Sequence, residues 1–251
     1  MLGFDRLAIL DLTEAASQPM RHDGDRLVAR LQRRDLRLRR APEPTPKRRG
    51  HRFRSSGDTE VLLAALVEWG TAALTRLRGM YAFAFFDGRT QRLVLARDPF
   101  GIKPLVYGRL GDAVVFASEL RAIRAAGLAD LTIDRDALAA YLTYGAGAPS
   151  RTRSRAELRM LPPGSVVEVD ARGRGIGPAP RARSSTTSWR TPEAPASRTA
   201  AVEAVEAALA GAVASHLVSD VPLGVLLSRA ASTRRWSRAS RRASPASSRS
   251  S

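Results

Sequence analysis

Four short runs of strand-forming residues lie between Leu77 and Glu119, and they constrain the fold more than any other part of the chain. Turn residues such as Asp87-Gly88 and Asp98-Pro99-Phe100-Gly101 separate them. Short apolar runs divided in this way by turn residues are typical of antiparallel strands. The segment therefore predicts an antiparallel meander, with strands at Tyr81–Phe86, Arg92–Arg97, Leu105–Tyr107 and Val114–Ala117.

Three further stretches have the spacing of amphipathic helices, which makes the predicted fold class α+β. The best signalled is Thr59–Trp69, whose apolar residues recur at helical intervals and which Gly70 ends. The other two are Asp134–Tyr144 and the alanine-rich Thr199–His216. We expect the strands of the meander to pack against the Thr59–Trp69 helix.

Positive charge is concentrated in two segments of a chain whose formal net charge is +17. Residues 21–54 hold 13 Arg or Lys against 4 acids, and residues 229–251 hold 7 Arg against none. Arginine-rich, low-complexity segments bind nucleic acids through phosphate contacts. A basic nucleic-acid-binding protein is therefore one alternative function, and a catalytically dead regulatory remnant is another.

Cysteine is absent from the 251 residues, which excludes a disulfide framework and a thiolate metal site within them. There is no apolar run long enough for a membrane span, and the first residues do not read as a signal peptide. These features predict a cytoplasmic protein with no membrane partner.

Four segments, in order along the chain, resemble the asparagine synthetases, whose amino-terminal domain is a class II glutamine amidotransferase. They are RLAILDLTEAASQPM (Arg6–Met20), GHRFRSSGDTEVLLAALVEWG (Gly50–Gly70), the Leu77–Glu119 segment and SDVPLGVLLS (Ser219–Ser228). The resemblance implies an αββα glutaminase sandwich of the N-terminal-nucleophile type over residues 1–170. It also implies a linker over 171–200 and, over 201–251, the start of an α/β ATP pyrophosphatase domain, represented by its first strand.

In that family, a cysteine thiolate hydrolyses glutamine, and the ammonia passes to a second site. There ATP with Mg²⁺ activates the side-chain carboxylate of aspartate, and ammonia converts it to asparagine; the intact enzymes are expected to form homodimers. The chain contains no cysteine, and Arg6–Met20 matches a segment that lies well inside the family's domain. The resemblance therefore implies an amino-terminally truncated, inactive copy with no catalytic residue and no metal ligand of its own.

The resemblance also assigns binding residues. Arg6 matches the arginine that holds the α-carboxylate of glutamine, and Asp58 matches the acid that accepts hydrogen bonds from its α-ammonium group. Leu227 and Ser228 precede the ATP loop, in which Arg229 and Ala230 replace two glycines, so that ATP and Mg²⁺ are not expected to bind. Read without the resemblance, Arg6 is an exposed charge at a strand edge, and Asp58, Ser55 or Ser56 caps the following helix.

A frame slip explains why the resemblance fails in the two basic segments. One permitted set of codons for Leu31–Pro42, read from its second nucleotide, encodes YNGEIYDYAEL, which matches the family's glutamine-pocket motif YNGEIYNYxEL. One set for Ala230–Ser237, read from its third nucleotide, encodes GLDSSLVA, which matches the family's ATP loop. We therefore predict that residues 21–50 and 229–251 are degraded and irregular, and we expect no nucleic-acid partner. The nucleotide sequence, read in all three forward frames, tests this hypothesis.

The motif RDPFGIKPL at Arg97–Leu105 is another marker of the family. Proline fixes one backbone angle of the Asp98–Gly101 turn, and glycine allows the turn to close. We expect the motif to support the fold at a hairpin and to take no part in catalysis. The turn LPPG and the strand SVVEVD that follows it, at Leu161–Asp170, also resemble the family.

Overall fold

A computed structural model describes residues 11–22, 27–38, 53–110, 113–128, 135–145, 152–153, 157–170, 197–217 and 219–224. Nine strands, four α-helices and two short 3-10 helices, Glu14–Ala16 and Gly70–Arg76, lie in these ranges. The strands are β1 Met20–His22, β2 Leu27–Leu38, β3 Leu77–Asp87, β4 Arg92–Arg97, β5 Val106–Leu110, β6 Ala113–Ala117, β7 Thr152–Arg153, β8 Glu157–Met160 and β9 Val166–Val169. The helices are α1 Asp58–Trp69, α2 Leu120–Ala125, α3 Arg135–Tyr144 and α4 Arg198–His216.

The strands form two antiparallel sheets. The first has the order β1-β2-β3-β4-β9, and the second has the order β6-β5-β8-β7. Along β3 the side chains alternate between large and small, so its two faces meet different layers. Phe83 and Phe85 lie on one face, whereas Ala82 and Ala84 lie on the other. The small residues allow the second sheet to approach closely.

Three clusters of buried residues show the order of the layers. On one face of the first sheet, Phe83 and Phe85 pack with Leu62 and other apolar residues of α1. On its other face, Leu95 packs with residues of the second sheet and the turns beside it, including Leu105, Tyr107 and Leu161. On the outer face of the second sheet, Val106 and Val115 pack with Ile123 of α2. These sheets and helices therefore form an αββα sandwich, the layer order that the resemblance implied.

The predicted meander is wrong in one respect, because its strands are divided between the two sheets. All four strands are present, and β3 pairs with β4 as β5 pairs with β6. However, β4 pairs next with β9, and β5 pairs next with β8. The turn Asp98–Gly101 therefore carries the chain from one sheet to the other and does not close a hairpin.

The expectation that residues 21–50 are irregular is also wrong for Arg21 and His22, which belong to β1, and for Leu27–Leu38, which forms β2 in the interior of the first sheet. Its backbone pairs with β3 from Leu27 opposite Asp87 to Leu38 opposite Leu77, with one irregularity between Arg34 and Arg37. Ladder hydrogen bonds join main-chain groups, so the ladder does not require the family's side chains. Residues 39–50, and the whole of 229–251, lie outside the described residues.

The other predicted elements have mixed outcomes. The three helices are confirmed as α1, α3 and α4, and the LPPG turn is followed by β9 as expected. Residues 219–224, the described part of the predicted ATP-domain strand, form no strand. Within the part of the chain that the structure describes, no helix has the length and apolar character needed to cross a membrane.

The described residues divide into two compact units, one within Thr13–Ser188 and one within Ala8–Leu12 and Trp189–Ser251. The second unit is built mainly on α4, whose first turn is capped by Ser197, with its hydroxyl accepting from the Ala200 amide at 3.1 Å. No side chain of α4 is buried, and Val202, Val205 and Leu209 are exposed. In the same unit, the Asp11 amide donates to the Asp220 carboxylate at 2.7 Å.

Candidate functional site

The start of α1 carries the one predicted site residue that the structure describes, Asp58. Asp58 is the first helical residue, and only 9% of its surface is exposed. The residue before it, Gly57, occupies the N-cap position and provides no side chain to bond the free amides of the first turn. The N-cap position of this helix is therefore Gly57, and not Asp58, Ser55 or Ser56. A carboxylate at this position lies at the positive end of the helix dipole.

Glu60 bonds the chain that leads into α1. One of its carboxylate oxygens accepts from the Arg54 amide at 3.0 Å. The other accepts from the Arg54 amide at 3.0 Å, from the Ser55 amide at 2.8 Å and from the Ser55 hydroxyl at 2.7 Å. A glutamate at the third helical position commonly bonds back to the N-cap amide. Here it reaches further back, so that two residues before the cap are fixed to the first turn.

A second contact fixes the first turn from the other direction. The side-chain amide of Gln18 donates to the hydroxyl of Thr59 at 3.1 Å, and Thr59 is fully buried. This hydrogen bond joins the segment before β1 to the residue that follows Asp58. The two helical residues that follow Asp58, Thr59 and Glu60, are thus both bonded to segments that precede the helix.

A cavity of about 480 Å³ lies beside this turn. Glu60, Leu63 and Ala64 line it from α1, and Asp58 does not. The remaining lining residues come from the segment around β1 and from the chain before α1: Ala15, Ser17, Pro19, Met20, Arg21, Phe53 and Arg54.

Asp98 organises the turn that links the two sheets. Its side chain is 1% exposed and accepts three main-chain N–H bonds, from Phe100 at 3.0 Å, Ile102 at 3.0 Å and Lys103 at 2.9 Å. Its main-chain carbonyl accepts from Gly164 of the LPPG turn at 2.8 Å. The two turns that resemble the family are therefore parts of one hydrogen-bonded joint, in agreement with a structural role for the RDPFGIKPL motif.

Arg97 completes this joint. Its guanidinium group donates to three main-chain carbonyls, those of Lys103 at 2.8 Å, Leu161 at 2.6 Å and Gly101 at 2.6 Å. Burial lowers the pKa of this guanidinium, and the nearby charge of Asp98 acts in the opposite direction. Gly101 has a φ of +64°, and a Cβ atom there would lie 2.8 Å from Pro163. Only glycine fits this position without displacing its neighbours.

Tyr81, on β3 next to this joint, makes the stability of the fold sensitive to alkaline pH. Burial, with the charge of Asp98 as a smaller cause, raises its pKa from 10.0 to about 12. Below pH 10 the phenol is protonated in both states, so its contribution to stability is complete. Above pH 10 the unfolded chain ionises first, and we expect a loss of about 2–3 kcal/mol by the time the pH passes about 12. Urea unfolding at several pH values measures this loss, which Tyr81→Phe should remove; equal pH slopes for both proteins would contradict the assignment.

The remaining predicted site residues, Arg6, Leu227 and Ser228, lie outside the described residues. The described residues do not bring together any group of three or more His, Asp or Glu that could hold a metal ion. Gln18, Glu60 and the bonding role of Arg97 were not predicted from the sequence. Of these, Glu60 had a visible signal, because an acid three residues after an N-cap position is a known helix-start pattern.

Comparison with known proteins shows the family to which this chain belongs. The model of the glutamine amidotransferase domain family matches residues 1–177, which is most of the chain. The chain belongs to the glutamine amidotransferase domain family. Its similarity to glutamine-hydrolysing asparagine synthetases makes it an asparagine synthetase-like, class II member, as the sequence motifs indicated.

Two relatives of this glutamine amidotransferase domain are asparagine synthetases of Bacillus subtilis strain 168. Glutamine-hydrolysing asparagine synthetase 1 is 32% identical over 229 residues, which cover 90% of this chain and 34% of the relative. Glutamine-hydrolysing asparagine synthetase 3 is 33% identical over 163 residues, which cover 61% of this chain and 24% of the relative. The chain thus spans about a third or less of the length of these relatives. A solved structure of glutamine phosphoribosylpyrophosphate amidotransferase from B. subtilis is 25% identical, with a TM-score of 0.41 over 62% of this chain and 30% of that one.

Proposed function

We propose that this chain is the glutamine-binding part of an asparagine synthetase-type ligase, and that its 251 residues bind L-glutamine without hydrolysing it. The observation that supports this proposal is the buried carboxylate of Asp58, held at the first residue of α1 within an αββα sandwich. In this proposal Asp58 accepts hydrogen bonds from the α-ammonium group of glutamine, and Arg6 pairs with its α-carboxylate.

The chemistry of the two groups suits these roles. Hydrogen bonds between a carboxylate and an ammonium group are short and stronger than those between neutral groups. The planar guanidinium of an arginine can bond both oxygens of a carboxylate at once. Because Asp58 is largely shielded from water, its interaction with a bound cation is screened less than it would be at the surface.

Hydrolysis needs a nucleophile that these residues do not supply. Glutaminases of this class attack the side-chain amide with a cysteine thiolate. The 251 residues contain no cysteine. We therefore propose that this polypeptide, by itself, releases no ammonia from glutamine.

We propose that this polypeptide by itself carries out no ATP-dependent amidation. Leu227 and Ser228 are not described, and the sequence that follows them has Arg229 and Ala230 where a phosphate loop needs glycines. We propose that only the whole ligase activates aspartate with ATP and Mg²⁺, and that the whole ligase is also what forms the homodimer.

Replacing Asp58 with asparagine should weaken the binding of L-glutamine at least tenfold, because the neutral amide loses the charge-charge attraction to the α-ammonium group and keeps only one acceptor oxygen. Isothermal titration of the full chain with L-glutamine measures the change. Glutaramate, which lacks the α-ammonium group, should bind both proteins equally. The matched control is Asp136→Asn on the exposed side of α3, which should leave the affinity unaltered. The absence of saturable L-glutamine binding by the unsubstituted chain, or equal binding by Asp58→Asn, would overturn the proposal.

A further inference from the structure

We infer that Glu60 is a positioning residue for the glutamine site: it fixes the first turn of α1 so that the carboxylate of Asp58 is held ready for the α-ammonium group. This inference rests on the proposed function. In this role Glu60 raises the affinity for glutamine without touching the substrate.

The geometry of the helix start shows why such a residue is needed. A glycine at the N-cap leaves the chain before α1 with more conformational freedom than any other residue would. The N-cap Gly57 makes no side-chain hydrogen bond to the first turn. Asp58 follows this glycine directly, so the direction of its side chain depends on what else fixes the backbone there.

Glu60 provides that restraint through its contacts with Arg54 and Ser55. All of these contacts are between 2.7 and 3.0 Å, and they join residues on the two sides of Gly57 and Asp58. The segment 54–60 is thereby closed into a loop by one carboxylate. Hydrogen bonds from N–H and O–H groups to an ionised carboxylate are stronger than neutral ones, which suits this restraint.

The same contacts argue against a direct role for Glu60 in binding a ligand. Glu60 is one of the residues that line the cavity beside α1, but one of its carboxylate oxygens accepts one main-chain hydrogen bond and the other accepts three hydrogen bonds. The carboxylate of Glu60 therefore accepts its hydrogen bonds from Arg54 and Ser55 of the same chain. The hydrogen bond from Gln18 to Thr59 restrains the intervening residue independently.

A double-mutant cycle on L-glutamine affinity tests the inference, because coupled residues give non-additive changes. In the full chain, Glu60→Ala should raise the dissociation constant about tenfold, and Asp58→Asn at least tenfold. The double variant should bind no more weakly than Asp58→Asn alone, since Glu60 acts only through Asp58. Ser55→Ala, which removes one of the contacts, should have a smaller effect in the same direction. Glu68→Ala on the same helix is the matched control and should leave the affinity unaltered.

Two measurements separate positioning from general loss of structure. The affinities are compared under conditions in which urea unfolding shows each variant to be fully folded. Glu60→Gln, which keeps one acceptor oxygen at the same reach, should restore part of the lost affinity. If Asp58→Asn loses binding but Glu60→Ala does not, or if the two effects add, the positioning role is wrong while the proposed function stands. If the unsubstituted chain does not bind L-glutamine, the proposed function fails and the inference fails with it.

Discussion

Replacing Asp98 with alanine is expected to destabilise the fold by about 3–5 kcal/mol, which is a large part of the roughly 5–15 kcal/mol that holds a typical domain folded. The substitution leaves the amides of Phe100, Ile102 and Lys103 without the carboxylate that now accepts from them. A buried donor without an acceptor costs on the order of 1–3 kcal/mol, and these three hydrogen bonds are partly shielded from water. The urea midpoint of unfolding measures the loss.

The control for this substitution is Glu119→Ala, which removes an exposed ion pair with Arg121 and should cost less than about 1 kcal/mol. Asp98→Asn should lie between the two, because one amide oxygen remains to accept hydrogen bonds. A midpoint for Asp98→Ala equal to that of Glu119→Ala would show that the joint between the sheets does not depend on this carboxylate.

Replacing Phe83 with alanine is expected to cost about 3–5 kcal/mol, because it opens a cavity in the core between α1 and the first sheet. Phe83 is 1% exposed and lies in the same cluster as Leu62 and Phe85. Its ring also lies 5.8 Å from that of Tyr81. Thermal or urea unfolding of the full chain measures the change in the free energy of unfolding.

Phe100 provides the matched control within the same chain. Its side chain is 70% exposed, so Phe100→Ala removes the same atoms from a position that excludes little water. We expect a change within about 0.5 kcal/mol. If the two alanine substitutions had equal effects, the packing of α1 on the first sheet would not be the main core of this unit.

The sequence predicts the local elements of the fold better than their arrangement. Turn residues and apolar periodicity locate β3 to β6 and α1, because these signals lie within a few residues of the elements they define. The division of the strands between two sheets is decided elsewhere. It depends on contacts such as that of Arg97 with the carbonyl of Leu161, which lies 64 residues away in the chain.

The strand β2 shows a different limit of sequence reasoning. Its arginine-rich composition argues against an ordered segment, since few apolar residues offset the entropy of ordering. However, strand pairing satisfies main-chain N–H and C=O groups whatever the side chains are, and Ala29 at its start is fully buried opposite Phe85. The irregular backbone that the frame-slip hypothesis implied is therefore not found in β2. The hypothesis itself stays a prediction for the nucleotide sequence.

Only the part of the candidate site that carries a family motif could be predicted from the sequence. The motif around Asp58 identifies the acid, while the pattern of residues alone suggested a helix cap. The contacts of Gln18 with Thr59 could not be predicted, because they join segments 41 residues apart. Their geometry depends on how α1 lies against the segment before β1.

We propose that this member of the glutamine amidotransferase domain family does not hydrolyse glutamine, because its 251 residues contain no cysteine to act as the nucleophile. Ammonia release from L-glutamine by the purified 251-residue chain tests it most directly, with aspartate, ATP and Mg²⁺ added in a parallel assay for asparagine. We predict L-glutamine binding with no ammonia and no asparagine above the rate without protein. Release of ammonia, or formation of asparagine, by this polypeptide would contradict the account.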